Sequence, residues 1–143
     1  MSATHVDISY DLVKGIFTVL NGNVTYGGIT YPVYKSIPKD PATTYVYVGN
    51  VINDVDGDKD NFRYNGTVQV QVRDEAYRGD KKLALVIMNV IRGLLKTSVG
   101  SVFSVTPRTL VVFSPGSYNE FVEYSDNNIS GIRLIEQYDF ILE

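Results

Sequence analysis

The sequence predicts an α+β domain, a mainly antiparallel sheet with two helices packed on one face. Two segments repeat apolar residues at the three- and four-residue spacing of a helix, and several others alternate apolar and polar residues at the two-residue spacing of a strand. Eleven Tyr and six Phe without a Trp, among many Val and Ile, make a strand-rich composition that argues against an all-helical chain. A length of 143 residues suits one domain over 1–143, and no internal repeat divides it.

The first helix is expected from about Val6 to Leu20, where Ile8, Leu12, Val13, Ile16, Phe17 and Leu20 share a face. Thr4 or Asp7 can accept the amide hydrogen bonds left over at its start, and Asn21-Gly22 offers a left-handed residue at its end. Gly15 costs about 1 kcal/mol relative to Ala in mid-helix without breaking the period. Asn23–Tyr26 and Ile29–Tyr31 flank Gly27-Gly28, which takes positive φ readily, so a tight hairpin follows. Pro32, Pro38 and Pro41 lack a ladder donor and make the next stretch an edge or a connection, after which Thr44–Ile52 resumes as a strand.

The polar run Asn53–Asn61 reads as a solvated loop. From Phe62 to Asp74 the alternation is clean: Phe62, Tyr64, Val68, Val70 and Val72 point one way, Arg63, Asn65, Thr67, Gln69, Gln71 and Arg73 the other. A second helix opens at Gly79-Asp80 and runs to about Leu95 on Leu83, Val86, Ile87, Val90, Ile91 and Leu94. Leu85, Met88 and Leu95 widen its apolar stripe, so this helix either lies between sheet and first helix or lends surface to another chain. Ser101–Val105, Thr109–Ser114 and Ile129–Leu142 read as strands, with Ser114–Asn119 as a turn or longer loop.

A net charge of −3 and a pI near 5.1 withhold the cationic excess of a dedicated nucleic-acid binder. The absence of cysteine excludes disulfides, thiolate metal sites and a cysteine nucleophile, and the single histidine, His5, excludes multi-histidine metal sites. Asp74-Glu75 and the Glu120/Glu123 pair are the carboxylate doublets of an ordinary solvated surface, Gly27-Gly28 lacks a phosphate-loop context, and Arg78-Gly79-Asp80 reads as the turn capping the second helix. No catalytic residue, cofactor or metal site is therefore assigned. The N-terminus lacks a basic leader region and no apolar run reaches bilayer length, so the chain is expected in the cytoplasm and not in a membrane.

Asp54, Asp56, Asp58 and Asp60 begin like a calcium loop, with alternate carboxylates that converge on a cation. Lys59 stands where the sharp turn needs glycine, and Asn65 where a bidentate Glu belongs. The alternatives at this point are an acidic recognition loop and a calcium- or ligand-binding module using Asp54–Asp60. The stripe of Gln69, Gln71 and Arg73 has high hydrogen-bonding capacity and suits strand addition, a subunit contact or plain solvent.

The layout resembles the small tail-completion or tail-terminator proteins of long-tailed bacteriophages. The matching pieces are the helix ending Phe17-Thr-Val-Leu20-Asn-Gly, the segment Tyr34–Pro41 leading into Tyr45–Gly49, and the strand Gly66–Arg73. The helix Asp80–Leu95 and the closing strand Gly131–Ile141 complete the likeness, which covers most of the chain through element order. It implies a virion structural protein, not an enzyme, that forms a homo-oligomeric ring, typically a hexamer, at the tail tube end or the head-tail junction. The implied partners are further copies, the tail tube protein and neck or connector proteins, with genome DNA passing through the lumen without sequence-specific binding. Such a protein resides in the virion tail or neck, and in the host cytoplasm before assembly. The Asn53–Asn61 and Phe113–Asn128 stretches are longer than the family's usual connections, which leaves a terminator, a head-side neck ring and another tail-associated ring built on the same domain all open. Candidate contacts are Gln69, Gln71 and Arg73, the loop Asp54–Asp60, and the loop Pro115–Asn128, where Tyr118, Phe121 and Tyr124 are too apolar for a solvated connection.

Overall fold

Valines at every second position of two neighbouring strands decide where the core lies. In the computed structural model, which describes residues 9–56, 63–77, 79–98 and 110–142, the elements are α1 (Ser9–Leu20), β1 (Thr25–Tyr26), β2 (Ile29–Thr30), β3 (Val33–Tyr34), β4 (Thr44–Asp56), β5 (Arg63–Asp74), α2 (Lys82–Ser98), β6 (Leu110–Ser125) and β7 (Asn128–Leu142). The register sets Val46 opposite Val72 and Val48 opposite Val70, then Val72 opposite Leu134 and Val68 opposite Tyr138, so one face of the sheet is apolar but for Glu136, opposite Val70. Leu12, Ile16 and Leu20 of α1 and Ile87, Met88, Ile91 and Leu95 of α2 join that face in one buried cluster. Each such side chain contributes roughly 1.5–3 kcal/mol when fully buried. The fold is α+β, as the residue pattern requires.

The main sheet has the order β3-β4-β5-β7-β6, and every pairing is antiparallel except the parallel pair β3 and β4. The proline-broken stretch thus supplies a two-residue parallel strand, and the sheet is mixed. Gly27 and Gly28, at φ of 62° and 80°, turn the separate β1–β2 hairpin. Gly22 at φ 80° closes α1. Asp80 caps α2, its Oδ1 accepting the Lys82 amide at 3.0 Å. Met88 and Leu95 are buried and Leu85 packs against the core, so packing within the chain accounts for the wide stripe of α2.

Two expectations are overturned. β4 does not end at Ile52 but runs on to Asp56, because Asn53–Asp56 pair with Arg63–Gly66, so the start of the expected Asn53–Asn61 loop is strand. Ser114–Asn119 is not a turn, and Pro115–Asn128 is not a loop: β6 runs through them to Ser125 and returns as β7 after Asp126-Asn127. The outermost place of β6 explains how Pro-Gly is tolerated, because a missing amide on an open edge breaks no ladder. Gly116 is the extra residue of a bulge between the Pro115–Tyr138 and Ser117–Gln137 pairs. The strand proposed at Ser101–Val105, and His5, Thr4 and Asp7, lie outside the described residues.

Candidate assembly surfaces

On the sheet face away from the valines, Tyr45, Arg73, Arg133 and Phe121 form a row across four strands. Arg73 donates through Nη1 to the Tyr45 hydroxyl (3.1 Å) and through Nη2 to both Glu123 carboxylate oxygens (2.9 and 3.0 Å). Arg133 lies over the Phe121 ring at 5.4 Å. One row along, Gln71 is buried and donates to Gln69 Oε1 at 3.2 Å, as does Asn50 at 2.9 Å. Gln69, Gln71 and Arg73 therefore sit together, but largely bonded to one another and to neighbours. Since β5 is paired on both sides, no further strand can add to it, and among the described residues the open edge on the ribbon side is that of β6.

The three aromatics of β6 separate. Tyr118 faces α2: Arg92 lies over its ring at 5.0 Å, and its hydroxyl donates to Glu120, which also holds Lys81 at 2.7 Å. Hydrogen bonds from Lys81 and then Tyr118 hold the Glu120 carboxyl below its ordinary pKa. Phe121 belongs to the opposite face, whereas Tyr124, 66% exposed, lies beside the Asp126-Asn127 turn. Both turn residues have positive φ, 51° and 66°, in a two-residue loop closed by Ser125 and Asn128. The last β5–β7 pair is Asp74 with Ile132, so this end of the β6–β7 hairpin extends past β5, with no third strand beside it among the described residues.

Two residues outside the sequence-based candidates organise the other end of the ribbon. Glu136 falls in step with Leu134 and Tyr138 on the core face, and its buried carboxylate accepts from Arg92 Nε at 2.5 Å. Arg92 also donates to Asn89 at 3.0 Å. The signal was a charged residue in an apolar register position. Beside this pair, Arg92, Leu95, Lys96, Phe113, Pro115 and Tyr138 line a mainly apolar groove of about 470 Å³. Phe113 and Tyr138 stack at 4.9 Å, and the buried Tyr138 hydroxyl has no hydrogen-bond partner among the described residues.

Burial, and then the nearby Glu136 charge, push the Tyr138 phenol above its ordinary pKa. The unfolded phenol ionises near pH ~10 while the folded one keeps its proton, so its linkage contribution is intact below that pH and is lost as pH rises. Tyr138→Phe is expected to raise the stability of the isolated chain by about 1 kcal/mol at neutral pH, because it removes an unsatisfied hydroxyl. It also flattens the loss above pH ~10. Thermal melts of both forms between neutral and alkaline pH check this, and a variant less stable than the parent chain would refute it.

At the opposite margin of the sheet lies a second apolar surface. Tyr10, Val13, Lys35, Ser36, Asn50 and Val51 line a groove of about 460 Å³ between α1 and β4. Exposed Ile37 and Ile52 directly follow two of these residues in the chain. The Lys35 ammonium lies over the Phe17 ring at 4.7 Å and the Tyr10 ring at 5.7 Å.

With these elements placed, a solved structure aligns from end to end. The fold matches that of a chain in a virion. The match, described as "Virion of native gene transfer agent (GTA) particle", has a TM-score of 0.67 and 15% identity, and covers 96% of this chain and 99% of that one. At that identity the shared property is the fold. No protein-family model and no curated protein matches the sequence.

Neither the match nor the geometry assembles the aspartate loop as a site. Asp54 and Asp56 continue β4, paired in register with Asn65 and Arg63, while Asp58 and Asp60 lie outside the described residues. Among the described residues, no three of His, Cys, Asp and Glu gather where they could hold a metal ion. No described helix is long and apolar enough to cross a membrane.

Proposed function

We propose that this chain is a virion structural protein of a tailed phage or phage-derived particle, and that its copies close into a ring, a hexamer, at the tail tube end or head-tail junction. The observation that carries the reading is the fold correspondence over nearly the whole of both chains with a virion protein. The two apolar surfaces support the ring. One lies at the β4 margin and the other on the β6–β7 ribbon at the far side of the sheet, and they differ in residues and shape. A surface unlike any other on the chain needs a different surface of the next copy as its partner, and such a head-to-tail contact repeated through a closed rotation leaves no sticky end.

In this role the ring ends tail-tube growth and presents a surface to neck or connector proteins, and genome DNA slides through its lumen. Chemistry is not required of it, and a net charge of −3 suits a passage that must not hold phosphates. Native mass spectrometry of the purified chain, with cross-links mapped between copies, tests the proposal. A closed oligomer with one repeated set of links between unlike surfaces is expected. A strictly monomeric chain at every concentration, or a dimer linking each surface to itself, would count against it.

A further inference from the structure

The ribbon end and the groove at its base are complementary, and one chain cannot join them. Nine residue steps along β7 separate Ile129, at the tip, from Tyr138, in the groove, a span of about 30 Å in an extended strand. The tip carries an aromatic side chain at 66% exposure, Tyr124, and an exposed carboxylate two residues on, Asp126. The groove offers apolar walls, the exposed ammonium of Lys96 and the buried Tyr138 hydroxyl, without a partner among the described residues. Neither Asp126 nor Lys96 takes an ion pair among the described residues. Because Asp126 and Asn127 fix a tight two-residue turn, the tip is presented in one shape, and little ordering entropy is lost on docking.

We propose that the β6–β7 tip of one copy seats in the groove between α2 and the ribbon base of the next, with the Tyr124 ring on Leu95, Phe113 and Pro115 and the Asp126 carboxylate against Lys96. This inference rests on the ring reading and names the surfaces that make its contact. A tyrosine buries about 150–250 Å² when enclosed, which makes Tyr124 the anchor of the contact, and the charge pair fixes its register. The partner is a second copy of this chain. Among the exposed large apolar side chains described, Tyr124 is the one on a tip that extends past β5 with a free carboxylate beside it.

The test uses the full chain and charge reversal. Asp126→Lys and Lys96→Asp are each expected to raise the concentration of half-assembly about tenfold or more, read by native mass spectrometry, and the double variant to return it close to the parent value. Tyr124→Ala abolishes assembly, and Tyr124→Phe retains most of it. Lys96, Tyr124 and Asp126 are exposed, so thermal melts shift only slightly, by the strain of a lysine at positive φ and the loss of a cation from the last turn of α2; both shifts persist in the double variant, so recovery of assembly there separates docking from folding. Rings that form equally well in both single variants overturn the docking while leaving the ring intact. A double variant as defective as the singles overturns the pairing of Asp126 with Lys96. A parent chain that never assembles removes the ring and the docking together.

Discussion

Arg92→Ala is expected to destabilise the chain by about 3 kcal/mol, far more than a surface ion pair would suggest. The Glu136 side chain is only 5% exposed and lies in the core-face row between Val70 of β5 and Tyr118 of β6. Without Arg92 its carboxylate loses its charged partner in an apolar layer. Breaking such a buried pair typically costs about 3–5 kcal/mol, and the lower figure applies because Arg92 remains 37% exposed and partly hydrated. Replacing both by Met removes the buried charge altogether and recovers most of the loss. Urea denaturation of parent, single and double variants, compared at constant m-value, gives the measurement. Lys81→Ala is the control: its pair with Glu120 is solvated and screened and contributes little. Equal losses from the two single variants would show that Glu136 is as well solvated as Glu120.

Phe140→Ala should cost about 3–5 kcal/mol, the largest effect of any single truncation considered. Its ring is 1% exposed, and its cross-strand neighbours are Gly66 on β5 and Phe113 on β6. Gly66 has no side chain with which to fill the space left behind, so the cavity persists and adds to the lost transfer energy. Phe121→Ala, on the other sheet face and 45% exposed, is the contrast, with an expected loss near 1 kcal/mol. Comparable midpoint shifts for the two would place the core on the wrong face.

The two helices and the strand around Val68, Val70 and Val72 were legible because burial on one side writes its period directly into the residues. The Gly27-Gly28 turn was equally plain, since few other pairs accept positive φ at both positions. What misled was Ser114-Pro115-Gly116. Proline and glycine mark turns wherever a strand must be paired on both sides, and nothing local reveals that β6 is an edge where a bulge absorbs them. The candidate surfaces were legible only as a roster: Tyr118, Phe121 and Tyr124 look alike in sequence, yet the pairing register and its shift between Glu123 and Tyr124 send them to an internal network, an outer face and a tip. Glu136 escaped notice because its partner lies on α2, 44 residues away.

The brevity of β3 has a consequence for the life of the free chain. Its two residues pair only with Val46 and Tyr47, so among the described residues most of the outer rim of β4 has no strand beside it, as is true of β6 at the other rim. Bare rims at both margins invite stray stacking between molecules, and that risk grows with the number of idle copies. Free copies at high concentration are therefore expected to associate through these rims.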